Sequence, residues 1–191
     1  GYAVAQAAFA AGAAVTLVSG PTQLSPPPGV AVRWVESAQD LLNAVMAEIA
    51  GMDIFISVAA VADYRPVQRA VQKIKKTGTG LCLELELTPD ILAAVASLPN
   101  PPFTVGFAAE TEALEAHALD KLRRKKLDLI AANRVDIAGL GFGSERNALS
   151  LLWEGGSEIL PATDKRTLAS QLITRVATQF SAQPRAGSRN L

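Results

Sequence analysis

Asp63, Lys73, Lys75, Lys76, Lys121 and Lys125 are the side chains of this chain whose types and spacing could do chemistry. Asp63 follows the small and apolar residues Val58-Ala59-Ala60-Val61-Ala62, which continue the strand-like run Ile54-Phe55-Ile56-Ser57. A carboxylate at such a strand end can meet a ligand without crossing the core, although an aspartate there can equally cap a turn. Lys73, Lys75 and Lys76 surround one isoleucine, a pattern of either a solvated turn or a flap closing on phosphates. Lys121 and Lys125 stand four apart and so share one helix face. That spacing suits two oxygens of a phosphate chain, but with Arg123, Arg124 and Lys126 it also suits a helix end whose macrodipole is offset by cations. One carboxylate and several ammonium groups gathered at a sheet edge fit a magnesium-bound polyphosphate.

Two further stretches point to the same edge. Phe107 in Phe107-Ala108-Ala109-Glu110-Thr111 is either a surface for a nucleobase or a core aromatic, with Thr111 as a helix cap. Pro89-Asp90-Ile91-Leu92 reads as a helix start, where free N–H groups form a generic anion site. His117 has no histidine or cysteine partner at ligand spacing and receives no role. No G-x-G-x-x-G, Walker, G-x-S-x-G or Tyr-x-x-x-Lys pattern occurs, so dehydrogenase, P-loop and hydrolase readings lack their residues.

Composition narrows the ligand. In 191 residues, 49% hydrophobic, Lys+Arg and Asp+Glu both number 18, so no global field draws the chain to nucleic acid or an anionic membrane. Attraction for phosphate must be local, and the partner small. The single cysteine, Cys82, can form neither an intrachain disulfide nor a thiolate metal site. With no apolar run near 18 residues and no basic leader at Gly1, the expected location is the cytoplasm.

The elements that must position these groups alternate. A helix through Val4, Ala7, Ala8 and Ala11 ends at Gly12; strands follow at Val15–Val18 and Val30–Val35, a helix at Ala38–Ile49 and a strand at Ile54–Val58. After Arg65 a polar excursion of about 66–88 leads into Leu81-Cys82-Leu83-Glu84-Leu85-Glu86-Leu87, whose alternation predicts a strand with one buried face. Strands Phe103–Phe107, Leu127–Ala131 and Ala148–Trp153 are expected around a helix from Thr111 to Lys126. A last helix spans about Lys165–Gln179, with a disordered tail at 181–191. The fold class is α/β: an open, Rossmann-like, mostly parallel sheet with helices on both faces. Because the pattern enters at a helix, its first strand and phosphate loop are expected upstream of Gly1.

Taken together, Ala59-Ala60-Val61-Ala62-Asp63-Tyr64-Arg65, Lys73-Ile74-Lys75-Lys76, Pro89-Asp90-Ile91, Gly106-Phe107-Ala108-Ala109-Glu110-Thr111 and Lys125-Lys126-Leu127-Asp128-Leu129-Ile130 resemble bacterial phosphopantothenate–cysteine ligase. This is the second domain of the bifunctional coenzyme A biosynthesis protein, and the match covers Gly1 to about residue 180. The resemblance implies that CTP and 4'-phosphopantothenate give an acyl-cytidylate and pyrophosphate, after which free cysteine displaces CMP. It places Ser57, Val58, Ala59, Asp63, Lys73, Pro89, Asp90, Ile91, Leu92, Phe107, Lys121 and Lys125 at the CTP, with Lys73 assisting acyl-cytidylate formation as the catalytic residue. It also implies Mg²⁺ carried mainly on the CTP phosphates with no assigned protein ligand, and a homodimer through the excursion that includes Leu81–Leu87. A flavin-dependent decarboxylase domain, with FMN, is implied where one precedes.

The chain departs from the family pattern at several points. The Asn-His-Ser-Ser-Gly-Lys-Met segment that ends before the position of Gly1 is absent, and its asparagine helps convert the acyl-cytidylate. Thr88 stands for a common asparagine, Arg134 interrupts Ala-Asn-Asp, and Gly143 interrupts Gly-Phe-Asn-Ser. The competing readings are a non-catalytic nucleotide-binding or assembly module of the same fold and, with less in its favour, an oxidoreductase whose glycine loop lies upstream.

Overall fold

Helix α1 (Tyr2–Ala10) stops where the sequence places its glycine: Gly12 takes a φ of +90°, and the N–H groups of Gly12 and Ala13 turn back to the carbonyls of Phe9 and Ala8. The computed structural model describes residues 1–76, 78, 80–110, 114–134 and 146–183. Thr111, Gly143 and the tail beyond Gln183 lie outside the described residues.

β1 (Thr16–Ser19) and β2 (Ala31–Trp34) pair in parallel, followed by α2 (Ala38–Glu48). A capping box starts α2: the Ser37 hydroxyl accepts from the Asp40 N–H, and the Asp40 carboxylate accepts from the Ser37 N–H at 3.0 Å. Next come β3 (Ile54–Ser57), β4 (Tyr64–Pro66), β5 (Leu85–Leu87), α3 (Ile91–Ala96), β6 (Phe103–Glu110), α4 (Leu114–Arg124), β7 (Leu129–Arg134), β8 (Arg146–Trp153), β9 (Gly156–Asp164) and α5 (Lys165–Ala182).

The main sheet has the order β3-β6-β7-β8-β9. β3, β6 and β7 are parallel neighbours, β8 is antiparallel to β7 and β9 to β8, so four of the five strands run the same way. Strand alternation divides the core between the two faces. Phe103, Val105, Leu129, Ala131, Leu149 and Leu151 pack on Leu168, Leu172 and Val176 of α5, while Ala108, Ile130, Ala132 and Leu152 pack on Leu92 of α3 and Ala118 and Leu122 of α4. α1 lies against α5. The expected open, mostly parallel sheet with helices on both faces is the one present.

Three expectations need correction. The excursion strand covers only Leu85–Leu87, paired with β4, and all of 81–87 is exposed, so no face of it is buried. The alternation lacks an opposing core layer within this chain, because β5 meets only the three-residue β4. The last helix runs on to Ala182, which places Ser181 and Ala182 in helix instead of tail; Phe180 packs edge-on against Phe103 at 6.0 Å and holds that turn to the core. Finally, β9 was not expected, since Glu158 and Pro161 break the apolar pattern and only Leu160 of the strand is buried.

Candidate functional site

β3 ends beside the middle of β6, with Ser57 opposite Gly106, and this register brings the predicted residues toward one edge. Parallel strands leave their carboxyl ends open there, and in open α/β sheets that is where ligands bind. Ser57 and Val58 are half-buried and Ala59 is exposed at the start of the loop that carries Asp63, itself exposed.

Gly106 allows the close packing behind this edge. A Cβ on it would fall 2.8 Å from Leu127 Cδ1 and 2.9 Å from Leu92 Cδ2, so α3 and the turn after α4 approach β6 only because the side chain is missing. Phe107, the next residue, is half-buried and packs on the α5 face, so its ring serves the core; its carbonyl accepts a hydrogen bond from Lys121 Nζ at 3.0 Å.

The end of α4 sets both lysines. Lys126 adopts a left-handed φ of 53°, the Leu127 N–H reaches the Leu122 carbonyl at 2.9 Å, and the Lys126 N–H reaches that of Arg123 at 3.2 Å. This terminal motif buries Leu122 and Leu127 together and fixes where Lys125 leaves the helix. Lys125 Nζ then stands 2.7 Å from Asp90 Oδ2. Asp90 also caps α3 by accepting from the Ala93 N–H at 3.0 Å. Burial pushes the Asp90 carboxyl up, but the Lys125 ammonium, the Ala93 N–H and the charge of Lys121 outweigh it and hold the group below its ordinary value.

Asp90, Phe107, Lys121 and Lys125 are thus brought together, and the Ser57–Ala59 strand end adjoins them. Pro89 is half-buried, while Ile91 and Leu92 are core residues, in the clusters around Val45 and Ala118. Lys73, Lys75 and Lys76 lie on an exposed, irregular stretch, and no hydrogen bond or ion pair joins them to the other site residues among the described residues. His117 is exposed on α4. No group of three or more His, Cys, Asp or Glu able to hold a metal occurs among the described residues, and no described helix is long and apolar enough to cross a membrane.

Two contributors were not foreseen. Thr88 joins the Asp63 loop to the α3 start, its N–H donating to the Asp63 carbonyl at 2.9 Å and its hydroxyl to the Ala62 carbonyl. Asp128 braces β7 against β6: its Oδ2 accepts from the Thr104 N–H at 2.6 Å and from the Thr104 hydroxyl at 2.9 Å. A threonine before Pro-Asp was the available signal for the first. The second depends on residues 24 apart, and no local pattern announces it.

Residues 1–180 match the family model described as the DNA/pantothenate metabolism flavoprotein C-terminal domain. The coenzyme A biosynthesis bifunctional protein CoaBC of Vibrio vulnificus is 49% identical over 181 residues, covering 93% of this chain and 45% of that protein. The protein of the same name from Escherichia coli K12 is 44% identical over 189 residues, covering 97% and 47%. The chain therefore spans about half the length of the curated relatives it matches. A crystal structure of the C-terminal domain of a coenzyme A biosynthesis bifunctional protein CoaBC superposes with a TM-score of 0.80 at 36% identity, covering 96% of this chain and 83% of that one. The chain belongs to the DNA/pantothenate metabolism flavoprotein C-terminal domain family.

Proposed function

We propose that this chain is a CTP-dependent phosphopantothenate–cysteine ligase domain acting in coenzyme A biosynthesis. The observation that carries the reading is that Lys121 reaches the Phe107 carbonyl of β6 while Lys125 pairs with Asp90, the cap of α3, in a chain 49% identical to a coenzyme A biosynthesis bifunctional protein. In the first step a carboxylate oxygen of 4'-phosphopantothenate attacks the α-phosphorus of CTP, and the bond to the β-phosphate breaks to release pyrophosphate. In the second, the amine of cysteine attacks the acyl carbon, an amide forms, CMP leaves and the amine gives up a proton.

Neither step needs a protein nucleophile. Charge builds on phosphoryl oxygens, and fixed cations stabilise it. Lys121 and Lys125 are held by oxygens of their own protein, which places their charges before a triphosphate arrives. Ser57 to Ala59, Asp63 and Pro89 to Leu92 border the nucleotide in this reading, Phe107 supports it through its backbone, and Lys73 closes from the exposed excursion onto the phosphates. Mg²⁺ fits as a companion of the triphosphate: without a three-ligand cluster among the described residues, it would be held through phosphate oxygens with Asp63 as the accessible carboxylate.

The excursion presents Tyr64, Val67, Val71, Ile74, Leu81, Leu83, Leu85 and Leu87 to solvent, an apolar surface that supports a homodimer through this segment. Where a fused flavin-dependent decarboxylase domain precedes, that domain supplies the FMN chemistry in this reading. The location is the cytoplasm, in keeping with an exposed free Cys82.

The test is pyrophosphate release by the intact protein given phosphopantothenate and CTP. No release with any nucleotide would sink the ligase. Titration with CTP, with and without cysteine, separates it from a module that binds without turnover. Lys73→Gln is expected to abolish acyl-cytidylate formation with the fold retained, and unchanged release would remove Lys73 from its role.

A further inference from the structure

We propose that Thr88 is a positioning residue, whose hydroxyl sets the Ala62–Asp63 turn relative to the α3 start and thereby aims the Asp63 carboxylate at the nucleotide. The proposal rests on the CTP reading of the same site. β4 and β5 pair from Tyr64 opposite Leu87 to Pro66 opposite Leu85, and backbone bonds extend this ladder at both ends. The Val67 N–H donates to the Glu84 carbonyl at 3.0 Å, and the Thr88 N–H to that of Asp63 at 2.9 Å. Asp63 and Thr88 are therefore the last rung, on the side where the chain enters Pro89-Asp90 and α3.

A rung so placed is what fixes the turn, because the rest of the ladder has little to hold it. Residues 81–87 are all exposed, and the described polar tie from β4 to the body is the 3.4 Å contact of Arg65 Nη1 with Gln39 Oε1 on α2. The Arg65–Glu86 pair at 2.8 Å lies within the ladder itself. The Thr88 hydroxyl adds a bond to the carbonyl of Ala62, one residue beyond the last rung. That bond restrains the peptide joining Ala62 to Asp63, the unit that determines where the carboxylate leaves the backbone. Two residues after Thr88, Asp90 holds Lys125. Thr88 thus sets the spacing between an anionic and a cationic part of the site.

Since Ala62 is exposed, water can replace the lost hydroxyl at its carbonyl, and the loss of Thr88 Oγ1 should register in ligand geometry, not in folding. In the intact protein, Thr88→Val keeps size and branching and removes the hydroxyl; Thr88→Ala removes it with no added methyl. Both are expected to raise the KM for CTP by about threefold to tenfold, the effect of one hydrogen bond, with the KM for phosphopantothenate and the unfolding midpoint unmoved. Thr88→Ser is expected to restore the wild-type value. A wild-type KM for CTP in both hydroxyl-free variants, or no recovery in the serine variant, overturns the proposal alone. A wild-type protein that neither binds nor uses CTP overturns it together with the ligase reading.

Discussion

The Lys125 ammonium lies 2.7 Å from the Asp90 carboxylate, so the last turn of α4 is tied to the residue that starts α3. Asp90 is 47% exposed and Lys125 20%, which screens the pair and limits it to about 0.2 to 1 kcal/mol. Asp90→Asn retains a capping side chain and removes the charge. The carboxyl is depressed in the folded state, so its contribution is complete above the unfolded value of about 3.9 and is lost as pH falls through the lower folded value. Urea unfolding should therefore find the variant less stable at pH 7 and the two proteins converging in acid. A gap that stays constant down to pH 3 would contradict this.

Lys121 and Lys125 should each contribute to nucleotide affinity. Replacing either by Gln removes a charge-assisted contact worth about 1.5 to 3 kcal/mol, so CTP affinity should fall by roughly tenfold to a hundredfold. Added salt should weaken the wild type more than either variant. Calorimetric titration at two salt concentrations checks both expectations.

Gly106→Ala should be destabilising. The new methyl would lie 2.8 Å from Leu127 and 2.9 Å from Leu92, both buried, and relieving that overlap should cost about 1 to 3 kcal/mol. Thermal unfolding measures the loss. CTP affinity should fall with it, because Leu92 moves together with the chain after Asp90.

Asp128→Ala should leave the Thr104 N–H and hydroxyl, in a residue only 1% exposed, without their acceptor. The expected cost is about 2 to 3 kcal/mol. Combining it with Thr104→Val should lose less than the sum of the single changes, since the hydroxyl has then gone too. Additive losses in denaturant unfolding would show that the two side chains are not coupled.

The exposed leucines give a test of assembly. Leu85→Glu with Leu87→Glu should shift the protein from dimer to monomer in sedimentation while its helical signal is kept, because neither side chain enters this chain's own core. An unchanged sedimentation coefficient would remove the excursion from the interface.

The strands that carry the site were legible because each is a short apolar run ending in small residues, and Ile54–Ser57 and Phe103–Glu110 lie where those runs lie. Asp90 was legible as part of a helix start, and it is the cap of α3. Its grip on Lys125 was not, since a pairing between residues so distant in sequence follows from how α3 and α4 stack on β6. Leu81–Leu87 misled for a related reason: alternation reports a face prepared for burial, and nothing in the pattern says whether the covering layer belongs to the same chain. Pro161 concealed β9, although an edge strand tolerates a proline that a central one would not.

The packing of α1 on α5 has a consequence for the order in which this fold assembles. Tyr2–Ala10 is rich in alanine, and the surface it packs against is supplied by Lys165–Ala182, at the far end of the described residues. A nine-residue helix is marginal alone, so this contact closes late, and its closure bears the entropy of the whole intervening chain. Folding of this corner should be slow compared with the local β8–β9 hairpin, and amide exchange in α1 should report the final docking event.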